Sequence, residues 1–332
     1  MAHHNLHSQS SAPVAHTRRA ILARAAAAAG AISLGAVVAL PAVPHARAAV
    51  PTAQQTLVIG AKGFSENETV AYMYVLALQH AGVPVSADLK KNLASSAATP
   101  ALQRGGRNNG IDIFPEYTGT GVDVVLQQTK VAHNAHAYFN AAKSGYEQKY
   151  KLTWLTYAPM NDAQGFATTQ ANAKKYGLHS IADMVKHASQ LRLVAAAEYF
   201  GRADGPAGVA KVYGSFTFKQ TVKVAAVGNP AYAKLTSGQA DVSEAFTTDA
   251  LIKGDNLVAL SDPKGYASPD NIAPVVNDAA LKAYPKIADT LNKLSPKITQ
   301  SAILQLNYQA DVQGKDPQAL AKTFLQQQGL LK

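Results

Sequence analysis

The stretch IDIFPEYTGTG, residues 111–121, places an acid, a phenol and two hydroxyls directly after an apolar strand. Its first four residues are mainly apolar, and Pro115 interrupts the ladder that they would form. Glu116, Tyr117 and two threonines follow on a backbone that contains two glycines. Such side chains can bind a small molecule through charge, hydrogen bonds and a ring face. The stretch therefore predicts a ligand pocket at the end of a β-sheet.

The elements that would position this pocket alternate between strand and helix. A short apolar strand and a polar turn, TLVIGAKGF, begin at Thr56. A helix is predicted to follow, with Ser65 as its cap, Glu68 completing a capping box and Gly82 ending it. Strand, helix and strand follow in turn up to residue 118, an order that predicts a mostly parallel sheet with covered faces.

The same alternation resumes after about residue 164 and predicts a second α/β unit. Ligands of open α/β sheets bind beyond the carboxyl ends of the strands, where the connecting loops converge. The AKGFS turn after the first strand and the PEYTGTG stretch should therefore face one pocket.

Composition restricts the class of protein. The chain has 332 residues, 47% of them apolar, which is enough for two domains of ordinary size. It contains no cysteine, so disulfides, zinc–thiolate sites and thiol nucleophiles are excluded. The formal charge is +10, but four of the 31 basic residues lie in residues 1–48, which contain no acid. The remaining bases are scattered, which argues against nucleic-acid binding.

The amino terminus has the pattern of an export signal. HTRRAILARAAAAAGAISLGAVVALPAVPHARAA joins a basic start to an alanine-rich apolar run and ends in the small-x-small site at residues 46–48. The twin arginines, Arg18 and Arg19, indicate twin-arginine export to the periplasm, with cleavage after Ala48. The alternative is an uncleaved membrane anchor over residues 25–43.

Catalysis has little support in the sequence. His133 and His136 could share a helix face, but neither a carboxylate partner nor zinc-ligand spacing accompanies them. The sequence contains no nucleophile elbow, phosphate-binding glycine loop or dinucleotide fingerprint. We therefore expect no catalytic residue, no metal and no cofactor, and we predict that the chain is not an enzyme.

Several motifs follow one another in the order found in a known family. They are IGAKGFSENETVAYMYVLALQHAG, IDIFPEYTGTG, GRADGPAGVAKVYG, LTSGQADVSEAFTTDA, NIAPVV and LNYQADVQGKDPQALAKTFLQQQGLL. With them the chain resembles, from Thr56 to Leu331, the substrate-binding proteins of osmoprotectant ABC transporters, which bind glycine betaine, carnitine or choline. The resemblance implies a two-lobed α/β periplasmic-binding-protein fold, type II-like, with two hinge crossings. It places lobe 1 in residues 56–160 plus 259–332 and lobe 2 in residues 161–258.

The resemblance also implies a ligand site in which aromatic faces surround a quaternary ammonium. Ring quadrupoles suit a methylated cation because it has no strong hydrogen-bond donor. Tyr117 matches a cage tyrosine, and Phe246 stands where the family often has tyrosine. Lys62 and Arg202 match partners of the ligand carboxylate, and Thr120 matches a hydroxyl that binds the same group.

Two positions depart from the family pattern. In MNDAQGFA, Gln164 stands where a cage aromatic is usual, unless Phe166 takes that place through a small slip of the alignment. In ASPDNIAPVV, Asp270 stands where an aromatic is common. An acid and an amide could instead bind a cation that has N–H donors, or the positive charge of choline.

The resulting expectation is an exported receptor that binds a zwitterionic osmoprotectant of the glycine betaine class and delivers it to a membrane ABC permease. We expect a monomer. The alternative within this class is a receptor for another cationic or amino-acid-like solute, favoured by Gln164 and Asp270. Alternatives from other classes are a periplasmic enzyme that uses the same fold and an anchored sensor domain.

Overall fold

The computed structural model describes residues 55–89, 92–202, 204–225 and 227–332. The predicted export signal, residues 1–48, lies outside these ranges. In the described part of the chain, no helix combines the length and apolar character needed to cross a membrane.

The described residues form two five-stranded sheets. The strands are β1 (Leu57–Ile59), β2 (Val85–Ala87), β3 (Ile113–Tyr117), β4 (Leu152–Trp154), β5 (Gln164–Thr169), β6 (Arg192–Ala196), β7 (Gln220–Val224), β8 (Val242–Phe246), β9 (Leu257–Ala259) and β10 (Ile272–Asn277). The first sheet has the order β2-β1-β3-β10-β4, and the second has the order β7-β6-β8-β5-β9.

Each sheet is mixed in the same way. In the first sheet β1 pairs in parallel with β2 and β3, whereas β10 is antiparallel to both of its neighbours. In the second sheet β6 pairs in parallel with β7 and β8, whereas β5 is antiparallel to both of its neighbours. Alternation of strand and helix predicted the parallel part correctly. The antiparallel strands are those that follow the two passages of the chain between the sheets.

Helices cover the sheet faces. They are α1 (Ser65–His80), α2 (Ser95–Arg104), α3 (Thr118–Thr120), α4 (Ala135–Tyr150), α5 (Gln170–Tyr176), α6 (Ile181–His187), α7 (Pro206–Tyr213), α8 (Asn229–Thr236), α9 (Leu251–Gly254), α10 (Asp278–Ala283), α11 (Lys286–Leu294), α12 (Gln300–Asn307) and α13 (Pro317–Gln327). Short 3-10 turns lie at Gly106–Asn108, Ala188–Gln190, Ala197–Gly201 and Ser295–Lys297, and π-helical turns at Gly121–Leu126 and Tyr308–Val312.

The helix α1 begins at Ser65, but the prediction that Ser65 and Glu68 form a capping box is wrong. Phe64 is the residue at the N-cap position, and no side chain caps the helix. The Glu68 amide donates to the Phe64 carbonyl instead, 3.1 Å away. At the other end Gly82 has φ of 78°, a left-handed conformation that glycine adopts without strain and that ends the helix.

Side-chain alternation along the strands builds a core on both faces of each sheet. Ile113 packs with α1, α11 and α13, while its neighbour Phe114 packs with α2 and α4. In the second sheet Leu193 packs with α6 and α7, and the next residue, Val194, packs with α8. Where both faces of a strand are buried, only its ends can reach solvent. A ligand site is therefore expected in the loops at those ends.

Two segments carry the chain between the sheets and lie against each other. The outgoing segment joins β4 to β5, and the returning segment joins β9 to β10. The Asp162 amide donates to the Asp270 carbonyl over 2.9 Å, and the Asp270 amide donates to Oδ1 of Asn161 over 2.7 Å. The Asn271 side chain donates to the Ala158 and Met160 carbonyls. The lobe boundaries given above remain a prediction, but these bonds hold both passages together.

Candidate functional site

A polar cleft of about 650 Å³ is lined by the loops that follow the strands of both sheets. From the first sheet it receives the turn after β1 and the end of β3. From the second it receives the residues that follow β6, β7 and β8. Ligands of such sheets bind where the loops at the carboxyl ends of the parallel strands converge. The cleft lies at that place, as the sequence predicted.

Six of the seven predicted site residues line this cleft. They are Lys62, Tyr117, Thr120, Arg202, Phe246 and Asp270. The seventh, Gln164, is 5% exposed and lies outside the lining. Its Nε2 donates to Oε1 of Glu244 over 2.8 Å, so it acts on the cleft only by holding that carboxylate.

Phe166, the sequence alternative to Gln164, does not line the cleft in this structure. Phe166 is 1% exposed and packs in the second sheet's core, with its ring 6.2 Å from that of Tyr199 and 6.3 Å from that of Tyr266. Residues in a strand alternate between the two faces, so Gln164 and Phe166 share a face that is covered by neighbouring side chains.

Tyr117 is a buried wall of the cleft. Its hydroxyl donates to Oε1 of Glu66 over 2.8 Å, which fixes the hydroxyl end of the side chain. The ring of Phe64 stacks on it at a centroid distance of 6.2 Å and an angle of 25°. Burial and the Glu66 carboxylate raise the pKa of the Tyr117 phenol well above its usual value, so the phenol remains a donor.

Lys62 stands over this ring and is paired with an acid. Its Nζ lies 4.7 Å from the Tyr117 centroid and 2.8 Å from Oε1 of Glu116. The Lys62 amide donates to Oδ1 of Asn67, whose side chain donates to the Pro115 carbonyl. Through these two hydrogen bonds Asn67 links β3 to the turn that follows β1, and it thereby positions Lys62.

Arg202 forms a bidentate pair with Asp204, its neighbour in the same turn. Nε donates to Oδ1 over 2.8 Å, and Nη2 donates to Oδ2 over 2.6 Å. Both side chains are largely buried. A guanidinium has five N–H donors, so this pair leaves others for a ligand carboxylate in the cleft.

Thr120 and Asp270 are bonded to each other. The Thr120 amide donates to Oδ1 of Asp270 over 2.9 Å, and the Thr120 hydroxyl donates to Oδ2 over 3.0 Å. In this structure the hydroxyl hydrogen is therefore directed to Asp270. Burial raises the pKa of the Asp270 carboxyl to about 7, although the Thr120 amide and the charge of Lys62 oppose the shift.

Sequence reasoning missed several carboxylates that line the same cleft. Glu66 accepts from Tyr117 and, over 2.6 Å, from Asn307. Asp162 accepts from the Thr248 hydroxyl. Burial raises the pKa of both acids, and for Asp162 the charge of Glu66 adds to the shift. These residues belong to distant segments, so no local motif could have grouped them.

Glu244 and Asp249 complete this acidic set. Glu244 accepts from Gln164 and from the Ala196 amide, and burial raises its pKa to about 7. Asp249 accepts from the Tyr232 hydroxyl and from the Phe246 amide. Counting Glu198 and Asp311 as well, the described lining holds seven carboxyl groups against Lys62 and Arg202. Acidic side chains therefore outnumber basic ones in the described lining of the cleft.

A second cavity of about 550 Å³ lies behind the end of β8 and shares Phe246 and Asp249 with the cleft. Its walls come mainly from apolar residues of β5, β8, β9 and α12. Among its described lining residues Lys253 is the one cation. A charged solute needs converging polar groups, and these are in the cleft.

The two sheets, the paired crossings and the cleft at the strand ends define a binding-protein fold with two α/β lobes. A solved structure of a glycine betaine/carnitine/choline ABC transporter protein is similar, with a TM-score of 0.67 and 28% identity, covering 83% of this chain and 100% of that one. This similarity confirms the predicted fold class.

The family follows from the sequence match. Residues 55–327 match the model of the substrate-binding domain of ABC-type glycine betaine transport systems, and the chain belongs to that family. It is 30% identical over 284 residues to the glycine betaine-binding protein YehZ of Escherichia coli strain K12, covering 82% of this chain and 91% of that protein.

Another relative is the ergothioneine transport permease/ergothioneine binding protein EgtU of Helicobacter pylori strain G27. The identity is 28% over 277 residues, covering 83% of this chain but only 48% of that protein, so this chain spans about half of its length. The family is one of transport proteins, which confirms that the chain is not an enzyme. It is a substrate-binding protein of an ABC transporter for betaine-like solutes.

Proposed function

We propose that the chain is an exported receptor that binds a quaternary-ammonium or related zwitterionic solute of the glycine betaine class and delivers it to an ABC permease. The observation that carries this proposal is one cleft in which the rings of Tyr117 and Phe246 meet several carboxylates and two cations. Ring faces and carboxylates attract a methylated cation, which has no strong donor of its own. Membership in the glycine betaine family supports the same solute class.

Each predicted residue has a role in this proposal. Tyr117 and Phe246 face the ligand cation, while Lys62 and Arg202 use their remaining N–H donors to hold a ligand carboxylate. Thr120 reaches that carboxylate only if its hydroxyl leaves Asp270, and Gln164 contributes by positioning Glu244. Closure of the lobes would exclude water and strengthen each of these charge interactions.

A second candidate is a different cationic or amino-acid-like solute. Asp270 and Glu244 favour it, because carboxylates can accept hydrogen bonds from an N–H cation as well as attract its charge.

Carnitine transport binding protein OpuCC of Listeria monocytogenes, 29% identical over 286 residues, is a relative named for a betaine-like ligand and supports the first candidate.

A thermal-shift screen of the purified protein distinguishes these candidates. A ligand that binds only the folded state stabilises it by RT ln(1 + [L]/Kd), about 2.7 kcal/mol at a hundredfold excess over Kd. We expect concentration-dependent increases in Tm with glycine betaine, carnitine or choline. Increases with proline or a polyamine alone would favour the second candidate and contradict the first.

Export, cleavage and a monomeric state are parts of the proposal that need their own measurement. We expect an amino terminus at about residue 49 on protein recovered from outside the cytoplasm. Mass spectrometry of the exported protein would show it, and an intact amino terminus would instead indicate an anchored protein. Light scattering should give the mass of one chain.

A further inference from the structure

The cleft contains four buried acids whose hydrogen-bond partners are neutral, namely Glu66, Asp162, Glu244 and Asp270. Of the last two, Glu244 lies in β8 of the second sheet and Asp270 lies just before β10 of the first. Asp270 accepts from the amide and hydroxyl of Thr120. Glu244 accepts from the Gln164 side chain and, over 2.8 Å, from the Ala196 amide. Hydrogen bonds from neutral donors orient these groups but leave their negative charge uncompensated.

The cations of the same cleft are already paired with other acids. Nζ of Lys62 is bonded to Glu116, and the Arg202 guanidinium is bonded twice to Asp204. Within the described residues, no lysine or arginine nitrogen lies within 4.0 Å of Asp270 or Glu244. In the described part of the chain Asp270 and Glu244 therefore lack a positive partner, as do the buried carboxyls of Glu66 and Asp162.

Burial explains why both carboxyls exchange a proton near neutrality, and the charges around them act in both directions. Burial is the largest cause of each raised pKa, which is about 7 for both. For Asp270, Lys62 and Arg202 oppose the increase and Glu116 adds to it. For Glu244, Arg202 opposes it and Glu198, on the turn after β6, adds to it.

We propose that Asp270 and Glu244 make the cleft selective for solutes with a net positive charge, and that binding such a solute releases protons from the cleft. This inference rests on the proposed function and specifies the ligand charge at that same site. A bound cation favours the ionised form of a nearby carboxyl, so protons held by these two groups leave to solvent. A zwitterion brings its own carboxylate into the same cleft, which cancels much of this effect.

Choline and glycine betaine form a matched pair of probes. Both carry a trimethylammonium group, so the rings of Tyr117 and Phe246 cannot distinguish them by that group. They differ in net charge, which is +1 for choline and zero for glycine betaine. Any difference in pH dependence between them therefore reports on the carboxyl groups of the cleft.

Titration calorimetry of the protein at pH 6, 7 and 8, in two buffers with different ionisation enthalpies, tests the inference. We expect choline to release protons and its affinity to rise by up to about tenfold per pH unit for each proton released. Glycine betaine should change by less than about threefold over the same range. Choline binding without proton release, or glycine betaine binding more tightly than choline at pH 8, would overturn the inference while leaving the receptor function intact.

Two variants show which carboxyl groups release the protons when choline binds. Asp270→Asn and Glu244→Gln should each flatten the pH dependence of choline binding, whereas the exposed controls Asp289→Asn and Glu147→Gln should preserve it. The wild-type proton count stands by itself if a cleft variant does not fold. If no quaternary ammonium compound binds at any pH, both this inference and the proposed function fail.

Discussion

At the scale of single residues, the cleft is built from side chains that serve structure and ligand together. Tyr117 shows this best, because its ring lines the cleft while its hydroxyl bonds a buried carboxylate. The sequence predicted Tyr117 at the pocket because it follows Pro115, which was expected to end the strand. That expectation about Pro115 is wrong, since β3 continues to Tyr117 with Pro115 opposite Pro274 of β10. The sequence could not predict the bond to Glu66, because the two residues meet only through packing of α1 against β3.

Substitutions at Tyr117 should separate these two roles. Tyr117→Phe removes the donor to buried Glu66 and should lower the free energy of unfolding by about 1–3 kcal/mol. The ring face remains, so affinity for a quaternary ammonium should fall by no more than about threefold. Tyr117→Leu should cost about tenfold or more in affinity. Urea unfolding and titration calorimetry measure both effects, and equal affinities of the two variants would show that the ring is not a ligand contact.

Arg202 should act on the carboxylate end of a ligand. Arg202→Ala removes the guanidinium donors, and we expect glycine betaine to lose at least about tenfold more affinity than choline, which has no carboxylate. The same change leaves Asp204 without its cation, so stability should be measured alongside. If the two ligands lost affinity equally, Arg202 would act only through its pair with Asp204.

Asp270 gives a prediction for the free protein. Its carboxyl has a pKa of about 7 in the folded state against 3.8 for an exposed aspartate, so between these values the folded state binds more protons than the unfolded state. The contribution of Asp270 to stability must therefore fall as pH rises from about 4 to about 7. Asp270→Asn removes the ionisable carboxyl and with it this loss of stability at higher pH. The oxygen of the new amide can still accept a hydrogen bond from Thr120.

We expect Asp270→Asn to be more stable than the wild type at pH 8 by about 1–3 kcal/mol, with a smaller difference at pH 5. Urea unfolding at the two pH values measures this. Asp289→Asn is the matched control because Asp289 is exposed on α11. A difference that does not change with pH would mean that Asp270 is ionised throughout.

At the scale of elements, local patterns predicted most strands and helices but not how they pair. Apolar runs and glycine turns located β1, β3 and β10, and the alternation with helices predicted parallel neighbours. The antiparallel setting of β10 between β3 and β4 depends on contacts between residues more than 100 positions apart. The periodicity of a single strand contains no information about which strands it pairs with. Only the family resemblance implied that the chain returns to the first sheet.

The turn after β3 shows why this pairing matters for the site. A Cβ atom at Gly119 would lie 2.9 Å from the Pro269 carbonyl oxygen and 2.9 Å from Oδ1 of Asp270. Glycine therefore allows the turn to approach the returning segment closely enough for Thr120 to bond Asp270. The Thr118 amide also donates to the Asn271 carbonyl across the same contact.

Gly119→Ala should push these two segments apart. We expect a loss of about 1–3 kcal/mol in the free energy of unfolding and weaker ligand binding, because the bonds of Thr120 to Asp270 lengthen. Gly165→Ala is the control, since its Cβ would meet only the Ala245 carbonyl oxygen, at 3.9 Å. Equal behaviour of the two variants in unfolding and calorimetry would contradict the proposed tight contact.

At the scale of the whole molecule, the site exists only because the chain passes twice between the sheets. Lys62 and Tyr117 come from the first sheet, Arg202 and Phe246 come from the second, and Asp162 and Asp270 lie in the crossing segments. The sequence identified the first four through motifs that resemble a family. The acids were harder to predict, because their role depends on burial and on where the crossings bring them.

The central claim is that a quaternary ammonium solute binds in the polar cleft and not in the apolar cavity behind Phe246. A crystal structure of the protein grown with saturating choline or glycine betaine tests it most directly. We expect one ligand with its trimethylammonium group against the rings of Tyr117 and Phe246 and within about 6 Å of their centroids. A ligand in the cavity between β8 and α12, or an empty cleft at a concentration shown to saturate the protein, would contradict it.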